Sequence, residues 1–121
     1  MLQTMSAYEQ ELVEVADAIS NKEYAKALSL LAPLVEKSVP GALGLLGVMY
    51  QLGEGVERDG TKAVEILKRA VELGDGVSAH NLGTIYAMGM PGITQDHELS
   101  RQFYRKAKAM GAQFAADEFY E

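Results

Sequence analysis

The sequence predicts an all-α solenoid, about seven helices stacked as antiparallel pairs, and three observations predict it. The first is self-similarity. Leu46, Gly47, Tyr50, Gly53, Gly55, Asp59 and Gly74 recur as Leu82, Gly83, Tyr86, Gly89, Gly92, Asp96 and Gly111. Gly83 lies 36 residues after Gly47, and Gly111 lies 37 after Gly74, because the second copy gains one residue near Met90-Pro91. Repetition at this period marks an array of helix pairs, in which each unit buries its face against the next. The second observation is apolar spacing of helical type between the repeated positions. The third is punctuation: all twelve glycines lie from Gly41 to Gly111, at or between the expected helices. One domain is expected. Residues 1–39 form a capping helix pair, 40–75 and 76–112 two repeats, and 113–121 the start of a third copy or a C-terminal cap helix.

Each element has its own local cause. Tyr8, Leu12, Val15, Ala16 and Ile19 predict a first helix from Ser6 to Ile19. Tyr24, Ala27, Leu28, Leu31, Leu34 and Val35 predict a second, in which Pro33 removes a backbone donor and should kink or break the helix. Pro40 opens a third helix reaching Leu52, since a first helical turn has no use for the missing N–H. Gly53 suits the left-handed position just past a helix end. Asp59 should cap a fourth helix, Gly60 to Leu73, with Ala63, Ile66, Leu67, Ala70 and Leu73 buried and a Glu65–Arg69 pair outside. The cycle then repeats: a fifth helix over Val77–Met88, a loop over Gly89–Gln95, Asp96 as cap, a sixth helix over His97–Met110, and a stop at Gly111. Gln113–Tyr120 aligns with Pro40–Gly47.

Gly44 and Gly47 fall inside the third helix, where each costs about 1 kcal/mol relative to alanine. Gly83 repeats Gly47, so close approach by a neighbouring helix is expected at both. Gly44 has His80 at its equivalent position, so Gly44→Ala is expected to be neutral or stabilising.

Composition bounds the function. The chain of 121 residues is 48% apolar and 23% charged, ordinary values for a globular domain. It has no cysteine, which excludes disulfides and thiolate metal sites. A net charge of −6 argues against nucleic acid or an anionic membrane as partner. No apolar run approaches membrane-spanning length. Residues Met1–Ser6 lack the basic and apolar regions of a signal peptide, so a cytoplasmic location is expected.

The run Leu-Gly-x-x-Tyr-x-x-Gly-x-Gly-Val-x-x-Asp-x-x-Lys-Ala, from Leu46 to Ala63, closely resembles the Sel-1-like repeat, a branch of the helical solenoids related to tetratricopeptide repeats. The resemblance covers residues 40–111. It departs from the pattern at Leu99-Ser100, where Lys-Ala is usual, and at Glu65-Ile66, where an aromatic pair is usual; Phe103-Tyr104 keeps that pair. The resemblance implies a non-catalytic bacterial scaffold or adaptor that binds other proteins.

Residues that could carry chemistry have structural readings. The glycines at 53, 55, 89 and 92 lack the strand of a Rossmann loop and the Gly-Lys-Ser/Thr of a Walker loop, so they read as helix stops and turns. His80 and His97 form no metal-ligand pattern, and no nucleophile–base set is present. No catalytic residue, metal or cofactor is expected. Tyr50 and Tyr86 read as packing, Asp59 and Asp96 as caps, and His97 as a surface residue.

By analogy with stacked helix pairs, the first helix of each pair lines the inner curve. Gly44, Val48, Gln51 and Leu52 from one unit, and His80, Asn81, Thr84 and Met88 from the next, then form a shallow groove suited to a peptide or helix; ordinary contacts within the array are the alternative. The charges segregate as well. Glu11, Glu14 and Asp17 mark the first helix, and Arg101, Arg105 and Lys108 the sixth. These faces could steer a partner or a second copy docking head to tail through the terminal helices. The sequence thus points to a protein- or peptide-binding module. A small acidic inhibitor, such as an immunity protein against a basic toxin or nuclease, is the alternative.

Overall fold

A computed structural model of the chain describes residues 8–112. Six α-helices follow one another: α1 Glu9–Ser20, α2 Tyr24–Glu36, α3 Pro40–Leu52, α4 Gly60–Glu72, α5 Gly76–Met88 and α6 His97–Ala109. No strand forms among the described residues; Met90 and Ile93 make a single isolated bridge. The expected helix start at Ser6 and the segment 113–121 lie outside the described residues.

α2 corrects one expectation. It runs unbroken through Pro33 to Glu36. Proline's fixed φ is helical, and only its bond to Ser29 is lost. Pro33 and Ser29 are both exposed, so water can serve the freed carbonyl, while buried Leu31 and Leu34 hold the helix on either side. The expected Glu65–Arg69 pair also does not form. The Arg69 guanidinium donates instead to the Ser38 hydroxyl, tying α4 to the α2–α3 connection.

The tight connections share one hydrogen-bonding scheme. After α4, the Asp75 N–H reaches the Ala70 carbonyl at 2.9 Å and the Gly74 N–H reaches Val71 at 2.9 Å. After α2, the Val39 N–H reaches Leu34 at 3.0 Å and the Ser38 N–H reaches Val35 at 2.9 Å. Gly74 takes φ +104°, and Ser38 takes φ +58° in the same role. Residues 8–40 are thus built to the same rule as the rest, with strained non-glycine residues, Lys22 and Ser38, at the turns.

The apolar faces form two clusters. Val15, Ala18, Ala27, Leu31, Leu34 and Met49 centre the first, and Leu67, Leu82, Ile85, Tyr86, Tyr104 and Ala107 centre the second. α3 serves both, with Met49 in the first and Tyr50 packed on the second. Leu67 lies over Gly47, and the Tyr104 ring lies over Gly83. The residues equivalent to Phe103-Tyr104 are therefore Ile66-Leu67, which corrects the expected Glu65-Ile66. Ser100, standing where the first repeat has Ala63, buries its hydroxyl by donating to the Gly83 carbonyl at 2.7 Å.

The helices fall into two layers. α1 touches α3, and α3 touches α5; α2, α4 and α6 make no such contacts with one another. The layer whose helices approach most closely lies on the inside of the bend, so α1, α3 and α5 form the inner face.

Candidate interaction face

Helix starts and stops place the side chains of this face. Asp59 accepts from the Lys62 N–H at 3.0 Å and Asp96 from the Leu99 N–H at 3.0 Å, so both act as caps. α5 has a cap that sequence reasoning missed. The Asp75 carboxylate accepts from the Ser78 N–H at 3.1 Å and from the Ser78 hydroxyl. The spacing Asp75-x-x-Ser78 ahead of an apolar run carried the signal.

That cap overturns the expectation for Gly44. A methyl there would lie 2.7 Å from Asp75 Oδ2 and 2.9 Å from Ser78 Oγ. The helix that packs on Gly44 begins with an aspartate. At the equivalent point of the next unit stands Ala112, and the side chain of His80 is accommodated.

The proposed groove residues sort into two hollows and one outlier. Val48, Asn81 and Gly44 line a hollow of about 240 Å³ with Leu12, Asp75 and Val77. Gln51, Leu52, Thr84 and Met88 line a second, of about 200 Å³, with Arg58 on its wall. His80 lines neither. Its ring lies 5.3 Å from that of Tyr104, tilted by 48°, and burial lowers its pKa from the ordinary value. Thr84 Oγ1 lies 3.0 Å from the Tyr104 hydroxyl. Leu52 is 57% exposed and Met88 74%, and Val77 is also exposed, so apolar surface on α3 and α5 faces solvent. Arg58 was missed because its position before a cap residue says nothing of where its side chain goes.

The remaining candidates are structural or superficial. Tyr86 is buried and stacks on Phe103 with centroids 5.8 Å apart. Tyr50 packs against the second cluster, with Lys62 Nζ 5.4 Å from its ring centre. Gly53, Gly55, Gly89 and Gly92 all have positive φ and make turns. His97 is exposed in the first turn of α6. Glu11, Glu14 and Asp17 are exposed on α1, as are Arg101, Arg105 and Lys108 on α6. Arg101 pairs with Glu98 at 2.9 Å, and this hydrogen bond holds the Glu98 carboxyl below its usual pKa. Among the described residues, no group of three or more His, Cys, Asp or Glu could hold a metal ion. No described helix is long and apolar enough to cross a membrane.

Comparison with known proteins agrees with this architecture. The Sel1 repeat model matches residues 40–75 and again 76–111. A comparison with curated protein sequences finds no match. Among solved structures, a Sel1 repeat protein from Oxalobacter formigenes is similar at 28% identity with a TM-score of 0.71, over 81% of this chain and 40% of its own. The protein c5321, a protective antigen present in uropathogenic Escherichia coli strains and displaying an SLR fold, is similar at 31% identity with a TM-score of 0.70. That match covers 87% of this chain and 24% of its own. The chain therefore spans less than half the length of either. The helical array matches that of these solved repeat structures.

Proposed function

This chain belongs to the Sel1 repeat family, and on that premise we propose that it is a protein-interaction module holding a partner segment along the inner face of α3 and α5. Solenoids of this type are protein-interaction modules in general; the groove is the specific part of the reading. One observation carries it. The inner layer, the natural place to bury apolar side chains, instead exposes Leu52, Val77 and Met88 beside the two hollows. A partner chain laid across them would remove that surface from water at about 25 cal/mol per Å².

A photo-crosslinking residue at Met88 or Asn81 tests this. It should yield adducts with a partner protein in the native lysate, whereas the same residue at Lys68, exposed on α4, should not. Adducts at Lys68 with none at the inner positions would reject the groove.

A second reading, the small acidic inhibitor, is favoured by the exposure of Glu11, Glu14 and Asp17 on α1. It requires that association with a basic protein weaken steeply with salt, because exposed charges are screened within about 8 Å at physiological ionic strength. The charge reversals Glu11→Lys and Glu14→Lys should then slow association at low salt. Unchanged on-rates would dismiss it.

A further inference from the structure

The two repeats end their first helices in the same way. The Asp59 N–H donates to the Tyr50 carbonyl at 3.0 Å, and the Asp96 N–H donates to Tyr86 at 2.8 Å. One residue earlier, a side chain completes the helix end. Arg58 Nε donates to the Gln51 carbonyl at 3.0 Å, and Gln95 Nε2 donates to the Ala87 carbonyl at 2.8 Å. The fold thus needs a side-chain donor at this place, and glutamine meets the need. From the residue at the helix end it needs only a main-chain carbonyl, since Ala87 serves as well as Gln51. The carboxamide of Gln51 and the charge of Arg58 exceed what the repeat requires.

Both groups line the second hollow, about 200 Å³ between the C-terminal ends of α3 and α5. Gln51 lines this hollow, and its Oε1 is buried without a hydrogen-bond partner. A buried acceptor left in this state calls for a donor from outside the chain. The Arg58 guanidinium has five N–H donors, of which the helix end takes the one on Nε. Leu52 and Met88, both well exposed, supply apolar surface at the same hollow.

We propose that this hollow holds the C-terminal residue of a partner protein, one with an apolar side chain. Such a residue carries on a single Cα the three groups the site lacks. Its N–H meets Gln51 Oε1, its terminal carboxylate meets Arg58, and its side chain lies between Leu52 and Met88. A neutral acceptor would be served by glutamine, as at position 95; the charge at 58 selects an anion, and a guanidinium pairs with carboxylate through charge-assisted, often bidentate hydrogen bonds. An internal Asp or Glu also offers a carboxylate, but its N–H and its apolar neighbour are spaced differently.

This inference rests on the groove reading and has its own test. The probes are fluorescein-labelled decapeptides ending in Leu, Met or Phe, each made with a free carboxylate and with a carboxamide end, and their binding to the whole chain is followed by anisotropy. The free acids should bind at least tenfold more tightly than their amide twins. Arg58→Gln should abolish that ratio, and Gln51→Ala should weaken the acids several-fold. Both substitutions import the second repeat's own residues, so an unchanged melting curve is expected and confirms that the fold is intact. Equal binding of acids and amides, a ratio unaffected by Arg58→Gln, or no saturable binding of any acid would overturn the proposal. If crosslinking at Met88 persists in that case, the groove stands and only its terminal-residue specificity falls.

Discussion

Single atoms decide the effect of changing the helix-interior glycines. A methyl on Gly47 would lie 2.6 Å from Leu67 Cγ, and one on Gly83 would lie 2.5 Å from the Tyr104 ring. Helix propensity favours alanine by about 1 kcal/mol, but overpacking costs about 1–3 kcal/mol. Both substitutions should lower the denaturant midpoint, Gly83→Ala more so, because a ring has less freedom to move aside than leucine. Gly44→Ala should be destabilising too, since its methyl displaces the Asp75 cap; Asp75→Ala alone should cost about 1 kcal/mol. Later melting of Gly44→Ala than of wild type would refute this account of the cap. His80 supplies a pH dependence. Its folded pKa is depressed by burial, so the fold favours the neutral ring. Its contribution is fully present above the unfolded pKa of about 6.5 and is lost as pH falls through the lower folded value. Stability measured between pH 7 and 4 should therefore fall less steeply in His80→Gln than in wild type; parallel curves would exclude the histidine.

Between elements, the long loops act as clasps. The loop after α5 returns to the start of α4, where the Gly60 N–H donates to the Pro91 carbonyl at 3.2 Å. A methyl at Gly60 would meet that carbonyl at 2.3 Å, which is backbone and cannot rotate away. Gly60→Ala should therefore destabilise by about 1–3 kcal/mol or more and speed hydrogen exchange in residues 89–95. Unaltered exchange there would show the clasp to be dispensable. The extra residue near Met90-Pro91 is legible from the spacing, but the docking it permits depends on where α4 begins. Ser38 makes the converse point. Its left-handed φ costs roughly 1–2 kcal/mol that glycine would not incur, yet its hydroxyl also receives Arg69.

Across residues 8–112, stability divides between two apolar clusters joined through α3. In such arrays each unit is stabilised chiefly by its neighbours. Leu31→Ala and Leu82→Ala both truncate a fully buried leucine and should each cost about 2–5 kcal/mol. Hydrogen exchange should rise first in α1 and α2 for Leu31→Ala, and in α5 and α6 for Leu82→Ala. A uniform rise in both variants would mean that the array unfolds as one unit.

The sequence by itself determined the helices, their order and the repeat, because these rest on local chemistry: apolar spacing, capping aspartates, and glycines where φ turns positive. It also determined that Gly47 and Gly83 meet a neighbouring helix, since the repeat shows one demand twice. It could not show that Pro33 leaves α2 whole, because packing on both sides of the proline decides that. Nor could it show that Gly44 lies under the Asp75 cap, because the two are apart in sequence and meet only when α5 stacks on α3. The groove was legible as a set of faces, but its division into two hollows, with His80 outside both and Arg58 within one, follows from how the helices stack. Local sequence specifies which way a helix turns and where it stops; which side chains share a cavity depends on contacts between residues distant along the chain.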